Sequence, residues 1–228
     1  MPYLLLAILI VILIFGPQLW ARFTFSHYSK PRDDIPGTGG ELARHLLDRF
    51  GLDEVQVEST EHGDHYDPQT RCVRLSPDNY KGKSLTAIAV AAHETGHALQ
   101  HHGGEKLLTL RTRLIGFAQY AQQLGAAFMV AIPVITAITR IPHTGLLMFG
   151  LGLLSMGMAT VVHLVTLPVE WDASFGKALP ILKAGNYIEE KDEKAVKRIL
   201  RAAALTYFAA SLASLLNLWR WLAMLRRR

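Results

Sequence analysis

Three long uncharged stretches set the first constraint on what this chain can fold into. Pro2 to Ala21 reads PYLLLAILIVILIFGPQLWA. Leu114 to Ile138 contains GFAQYAQQLGAAFMVAIPVITAI, and Gly145 to Leu167 contains GLLMFGLGLLSMGMATVVHLVTL. A helix needs about 20 mainly apolar residues to cross a bilayer, and each stretch has that length. The short connector from Thr139 to Gly145 makes the second and third a helical hairpin. A fourth stretch, Ala202 to Leu225, is interrupted by Asn217 and Arg220, and either spans or lies in the interface. Half of the 228 residues are hydrophobic and the mean hydropathy is +0.19, more apolar than an ordinary soluble domain. The expected fold class is therefore an α-helical membrane protein with three or four transmembrane helices and a small α+β portion.

No basic residue precedes the first apolar run, and QLWAR offers no small-x-small cleavage site. The run reads as a retained anchor with Trp20 at the interface. The net charge of +5 does not point to nucleic acid, because Arg22, Lys30, Arg32, Lys106, Arg111 and Arg113 all flank apolar segments. That placement fits lipid headgroups and a cytoplasmic side for the segments between them. Cys72 stands alone, which excludes a disulfide framework and a thiolate zinc knuckle.

Between the first and second runs lies mixed sequence. SKPRDDIPGTGG is a link, and GELARHLLDRFG is a short amphipathic helix closed by Gly51. EVQVES and RCVRLS alternate like half-buried strands, with EHGDHYDPQT between them as turn chemistry, so a hairpin with a long loop is expected. Ser84 caps a helix that starts at Leu85 and stops at Gly103-Gly104.

That helix carries AIAVAAHETGHALQHH. Positions i and i+4 of a helix lie one above the other, so the rings of His93 and His97 meet at one metal ion. Glu94 sits about 100° round the axis, placed to reach water at the ion without ligating it. Gly96, within the helix, leaves space beside the ion. His101 lies on the same face, but its backbone is about 12 Å from that of His93, too far to share the ion from a straight helix. His101 and His102 are read as exposed residues at the helix C-terminus. A histidine six residues after His97 would mark one peptidase subclass; Gly103 stands there instead.

A catalytic zinc takes three protein ligands and a water. The downstream candidates are Glu105, His143, His163, Glu170, Asp172 and the acidic run Glu189 to Glu193. Glu105 follows two glycines directly after the helix, His143 lies at the far end of the hairpin, and the acidic run is interleaved with lysine like a solvated face. His163 sits inside an apolar run, where a polar group facing a neighbouring helix is the common case. Glu170 is brought back to the starting side by the hairpin, and Pro168 is expected to reset the helix so that Glu170 and Asp172 fall near a new first turn. Asp172 is assigned the orienting of a histidine N–H.

DHYDPQTRCVRLSP, AIAVAAHETGHALQ and LPVEWDASFGKAL, in that order with an apolar hairpin between the last two, resemble the YugP-type zinc-dependent neutral membrane peptidases. The likeness covers nearly the whole chain and is more distant to the HtpX-type gluzincins. It implies one zinc ion per chain on His93, His97 and Glu170, with Glu94 as catalytic base. The HtpX-type signature has its aspartate four residues after the glutamate, so the role of Asp172 does not carry over. The implied organisation is an anchor (1–21), a zincin-like portion with the HExxH helix (22–106), a transmembrane hairpin (107–167), a third-ligand helix and connector (168–200), and a C-terminal transmembrane or interfacial helix (201–228). The implied function is a membrane-bound zinc metalloendopeptidase of the bacterial cell membrane, its site facing the cytoplasm. Its partners are a peptide or protein substrate, with misfolded or membrane proteins among the candidates, and the lipid bilayer. The alternative is a non-catalytic membrane scaffold or structural metal-binding protein. His65, Tyr66 and Tyr187 are candidates to hold the substrate oxyanion, and the strand RCVRLS is a candidate edge for an extended peptide.

Overall fold

A computed structural model describes residues 2–139, 144–206, 208 and 209. In chain order the elements are α1 (Pro2–Tyr28), α2 (Gly39–Arg49), β1 (Gln56–Ser59), β2 (His65–Asp67), β3 (Cys72–Leu75), α3 (Pro77–Lys81), α4 (Leu85–His102), α5 (Lys106–Thr139) and α6 (Thr144–Trp171). A π-helical segment (Asp172–Ala178) continues α6, followed by α7 (Leu179–Ala184), a 3-10 turn (Glu190–Asp192) and α8 over 193–206.

α4 is the central element. Its alanine-rich first half has side chains short enough for neighbours to close in from every side, and Ala87, Ala89, Ala91 and Ala92 are fully buried. The Ser84 hydroxyl accepts from the Ala87 N–H, satisfying one of the donors that a helix start leaves open. α2 lies against α4 and is fixed by a reciprocal cap, in which Thr38 accepts from the Glu41 N–H and the Glu41 carboxylate from the Thr38 N–H. Leu46 and Leu47 of α2, Val73 and Leu75 of β3, Leu182 of α7, and Val196, Ile199 and Leu200 of α8 fill the core around it. Burying a side chain of this kind stabilises by about 1.5–3 kcal/mol. That margin offsets the polar groups which α4 also buries.

The sheet has the order β1-β3-β2. β1 and β3 pair as the alternation predicts, but in parallel, with Val57 opposite Val73. The stretch expected to be only a turn supplies β2, antiparallel to β3 with Tyr66 opposite Val73. The hairpin expected between EVQVES and RCVRLS is corrected accordingly. RCVRLS becomes the central strand, bonded on both sides, so it offers no edge to a peptide. Alternation reports which face of a strand is buried, not its partner or direction.

Among the described residues, no helix is long and apolar enough to cross a membrane. The expected three or four transmembrane helices are therefore corrected to a mostly helical chain with a small three-stranded sheet. Helices that contain the apolar runs also run through polar sequence: the first turns of α5 carry Lys106, Arg111 and Arg113, and the last turn of α6 holds buried Glu170. An uncharged stretch read in the sequence does not tell what the rest of its helix must do. His143 and most of the fourth apolar stretch, Asn217 and Arg220 included, lie outside the described residues.

Pro168 does not restart a helix either. It lies within α6, and Glu170 sits in that helix's last turn. A proline inside a helix costs one hydrogen bond and crowds the preceding turn; here the helix runs through and widens into the π segment four residues later.

Candidate metal centre

His93 and His97 project from the middle of α4, one turn apart, with ring centroids 4.7 Å apart and edge to face. Glu170 arrives from the end of α6. Its Oε2 lies 3.1 Å from His93 Nε2 and 3.3 Å from His97 Nε2. All three side chains are buried, and their potential ligand atoms lie within 4.8 Å of one another. The π segment makes this convergence possible by packing directly on α4 at Gly96. A Cβ built on Gly96 would stand 2.8 Å from the Ala173 carbonyl oxygen and 3.3 Å from Lys177 Cβ. The glycine read in the sequence as space for an ion is space for a helix.

The far nitrogen of each imidazole is tied down. His97 Nδ1 lies 2.9 Å from Gln100 Oε1, and the Gln100 amide nitrogen donates to the Val169 carbonyl at 3.0 Å and to Asp172 Oδ2 at 2.8 Å. Those two acceptors fix which end of the amide faces the ring. Gln100 presents its oxygen, so His97 Nδ1 carries the proton. His93 Nδ1 meets the Ser174 hydroxyl at 3.1 Å. In neutral His97 the Nε2 atom then holds a lone pair aimed at a carboxylate oxygen. Two acceptors at 3.3 Å repel unless positive charge lies with them, either as a proton or as a cation at their meeting point. Bonds of about 2.0–2.1 Å to a tetrahedral zinc put neighbouring ligand atoms about 3.3 Å apart. The Glu170 contacts of 3.1 and 3.3 Å have that dimension. Two imidazoles with their outer nitrogens engaged and one carboxylate are also the donor set zinc accepts, so the residues fit the ion.

Burial by itself would raise the Glu170 carboxyl, but the charge of His97 and the hydrogen bonds from both imidazoles outweigh it and hold Glu170 far below the usual carboxylate range. Glu94, also buried, goes the other way. Desolvation, supported by the nearby charges of Glu170 and Asp64, pushes it up to about 7 against the pull of His93 and the Tyr66 backbone amide. Two buried carboxylates beside the same imidazoles are thus held in opposite states, one ionised and one poised to exchange a proton.

The remaining candidates are dispersed. Glu105 pairs with Lys177 at 2.8 Å, and Lys177 also reaches Asp172 at 3.2 Å. Asp172 does not touch a histidine N–H; it accepts from the Gln100 amide, which in turn meets His97. His163, half-buried two turns before Glu170, is outside the cluster. The Glu189–Glu193 run is solvated, with Glu193 between Lys183 and Lys197. Tyr187 bonds His45 and Arg49 on α2. His65 Nδ1 turns back to the Gly63 carbonyl. Tyr66 does reach the site region, but its hydroxyl is bound to His101 Nδ1 at 2.8 Å, which makes His101 a half-buried partner and not the exposed residue the sequence suggests. His102 is exposed.

Three site residues escaped the sequence reading. Gln100 and Ser174 had a signal: Gln100 stands three residues beyond His97 and Ser174 four beyond Glu170, on the same helical side. Arg111 had none. It was counted as a flanking charge, yet its Nη2 lies 3.1 Å from Glu170 Oε1. Two cavities open onto the cluster. One of about 210 Å³ is walled by His97, Arg111, Tyr66 and Gln69, and one of about 170 Å³ by Glu94, His93 and Asp64. A larger, apolar cavity of about 640 Å³ shares only Asp172 with this network, so its size does not make it the reactive one.

Over residues 3–226 the chain matches the family described as "Putative neutral zinc metallopeptidase". It belongs to that family. A curated relative, named "Putative membrane protease YugP" from Bacillus subtilis (strain 168), is 38% identical over 223 residues, covering 95% of each chain. No solved structure matches. Membership in a zinc metallopeptidase family agrees with the donor set found at the end of α6 and the middle of α4. In this member of the family, the two imidazoles of the HETGH stretch on α4 converge with Glu170 of α6.

Proposed function

We propose that the chain is a zinc-dependent endopeptidase that holds one ion per chain on His93, His97 and Glu170 and uses Glu94 as general base. The observation that carries this reading is the meeting of two imidazole Nε2 atoms on one buried carboxylate oxygen, with the outer nitrogens already engaged. Zinc held there supplies a Lewis acid for the substrate carbonyl and for water.

The chain's own residues supply the rest. Glu94, pushed up to about 7, takes the proton from the attacking water and returns it to the leaving amine, because its affinity for a proton lies near neutral pH. Asp64 is held in place by the Ser76 N–H, the Ser76 hydroxyl and the Asn79 amide, and its charge helps keep Glu94 basic. Gln100 and Ser174 keep the imidazole rings from turning. The alternative of a purely structural metal site leaves the buried Glu94 without a use, since burying a carboxyl that no ligand needs is costly.

The reading extends to a membrane. Val11, Ile12, Phe15, Leu19 and Phe23 of α1 are each more than half exposed and repeat at helical spacing. A stripe that apolar is more than a monomer surface ordinarily leaves to water, and a lipid surface would cover it. The name of the Bacillus subtilis relative, a membrane protease, supports the same partner.

The test is metal analysis of the purified full chain together with a casein degradation assay, on wild type, Glu94→Gln and Glu170→Ala. The expected pattern is zinc and turnover in wild type, zinc without turnover in Glu94→Gln, and neither in Glu170→Ala. Casein degradation by Glu94→Gln at the wild-type rate would end the proposal.

A further inference from the structure

Among the described residues, Arg111 is a strong donor group at the cluster that the mechanism above leaves unused. Its guanidinium forms a wall of the 210 Å³ cavity beside His97, Tyr66 and Gln69. Nη2 stands 3.1 Å from Glu170 Oε1, but the alignment is poor: the buried Arg111 Nε and Glu170 Oε1 both lack a hydrogen-bond partner. A guanidinium carries five N–H donors in a planar fork, of which this ion pair occupies a minority. The Tyr66 hydroxyl at the same wall is already bound to His101.

Glu170 holds its two oxygens toward different partners, Oε2 to the imidazoles and Oε1 to Arg111. The two oxygens of a carboxylate share one carbon, so the guanidinium lies within a few ångströms of the point where the imidazoles converge, on the side that opens to the cavity. A peptide carbonyl entering that cavity toward the cluster meets the fork.

We propose that Arg111 is a catalytic residue that binds the oxygen of the scissile carbonyl and stabilises the negative charge it gains when water adds to the carbon. The step needs no proton from Arg111, whose charge is permanent at working pH. It requires only that a donor be aimed where charge develops, in a site largely closed to solvent. This rests on the peptidase reading above. The rival role is support of Glu170 alone, in which case Arg111 would act on metal retention and not on the substrate.

The experiment compares full-length wild type, Arg111→Ala and Arg111→Lys. It measures zinc content, kcat and KM on an internally quenched peptide with an amidated C-terminus, and the Ki of a phosphinic peptide of the same sequence, which mimics the tetrahedral carbon. The expected result for Arg111→Ala is unchanged zinc content, KM within about threefold, and kcat lower by about 10²–10³-fold. The phosphinic Ki should rise by the same factor as kcat/KM falls, since an analogue of the transition state loses what the transition state loses. Arg111→Lys should recover part of kcat, and guanidinium in the buffer should partly rescue Arg111→Ala. Loss of zinc from Arg111→Ala with activity restored by added zinc would overturn the proposal, as would a rise in KM at constant kcat or an unchanged phosphinic Ki. A wild type that holds zinc but neither cuts the peptide nor binds the phosphinate overturns the peptidase reading and this proposal together. Failure confined to the Arg111 variants leaves that reading standing.

Discussion

The Gln100 side chain holds the His97 imidazole by its Nδ1 at 2.9 Å, and is itself held by Asp172 and the Val169 carbonyl. Through this one amide, the end of α6 and the start of the π segment set the tautomer of a histidine on α4. The chain of contacts runs on through Lys177 to Glu105 just beyond α4, so both ends of the network are anchored.

Removing that amide should loosen the metal. Gln100→Ala leaves His97 Nδ1 without its acceptor and lets the ring rotate. We expect zinc affinity to fall by about 10–100-fold, the usual effect of losing a partner of a metal-bound histidine. Chelator competition on the purified chain measures it, and an unchanged affinity would show that packing alone orients His97.

Glu94 should be dispensable for binding and indispensable for turnover. Glu94→Gln keeps size and burial while removing the proton acceptor, so kcat should drop by about 10²–10⁴-fold at unchanged zinc content. The pair of measurements separates a base from a structural acid, because a structural acid would lower both or neither.

The metal-free protein should reveal the cost of burying Glu94. Its folded pKa of about 7 lies above the ordinary 4.5, so between those values the folded state binds the proton more tightly than the unfolded state. Stability contributed by the protonated carboxyl is therefore present below about pH 4.5, declines as pH rises toward 7, and is level above that. The amplitude is of the order of 3 kcal/mol for a shift of this size. Glu170, lowered from 4.5, acts with opposite sign below that window, and the measurement is the difference between wild type and Glu94→Gln in denaturant melts from pH 4 to 8. A difference that does not vary with pH would contradict the burial of Glu94.

The contact at Gly96 should tolerate no methyl group. Gly96→Ala places a Cβ 2.8 Å from the Ala173 carbonyl oxygen, and backbone cannot swing aside as a side-chain tip can. Overpacking of this kind costs about 1–3 kcal/mol. The displaced π segment carries Ser174 and follows directly on Glu170, so the melting temperature and zinc affinity should fall together. A variant that melts earlier but binds zinc as before would uncouple the packing from the site.

Much of the site could be read from the chain, and the reason is local. His93, Glu94 and His97 sit on one helix, where spacing alone fixes the angles between side chains, and the Ser84 cap and the Gly103 stop are written beside it. Gln100 was within reach of the same argument. Glu170 was found by following the chain back to the starting side, although the assumptions on the way failed twice: Pro168 does not begin a helix, and no transmembrane hairpin is found among the described residues. β1 and β3 were located, but not their parallel pairing or the short β2 on the far side of β3.

By itself, then, the sequence determined the two imidazoles and the acid beside them, because a helix converts residue spacing into geometry without outside help. The tertiary structure alone decided what surrounds them. Gly96 meets the π segment, Gly176 leaves room for the Asp172 carboxylate that would clash with a Cβ at 2.0 Å, and Arg111 turns from a flanking charge into a neighbour of Glu170. Contacts such as that of His93 with Glu170, 77 positions apart, come from the packing of separate helices, and no periodicity along the chain records which faces will meet.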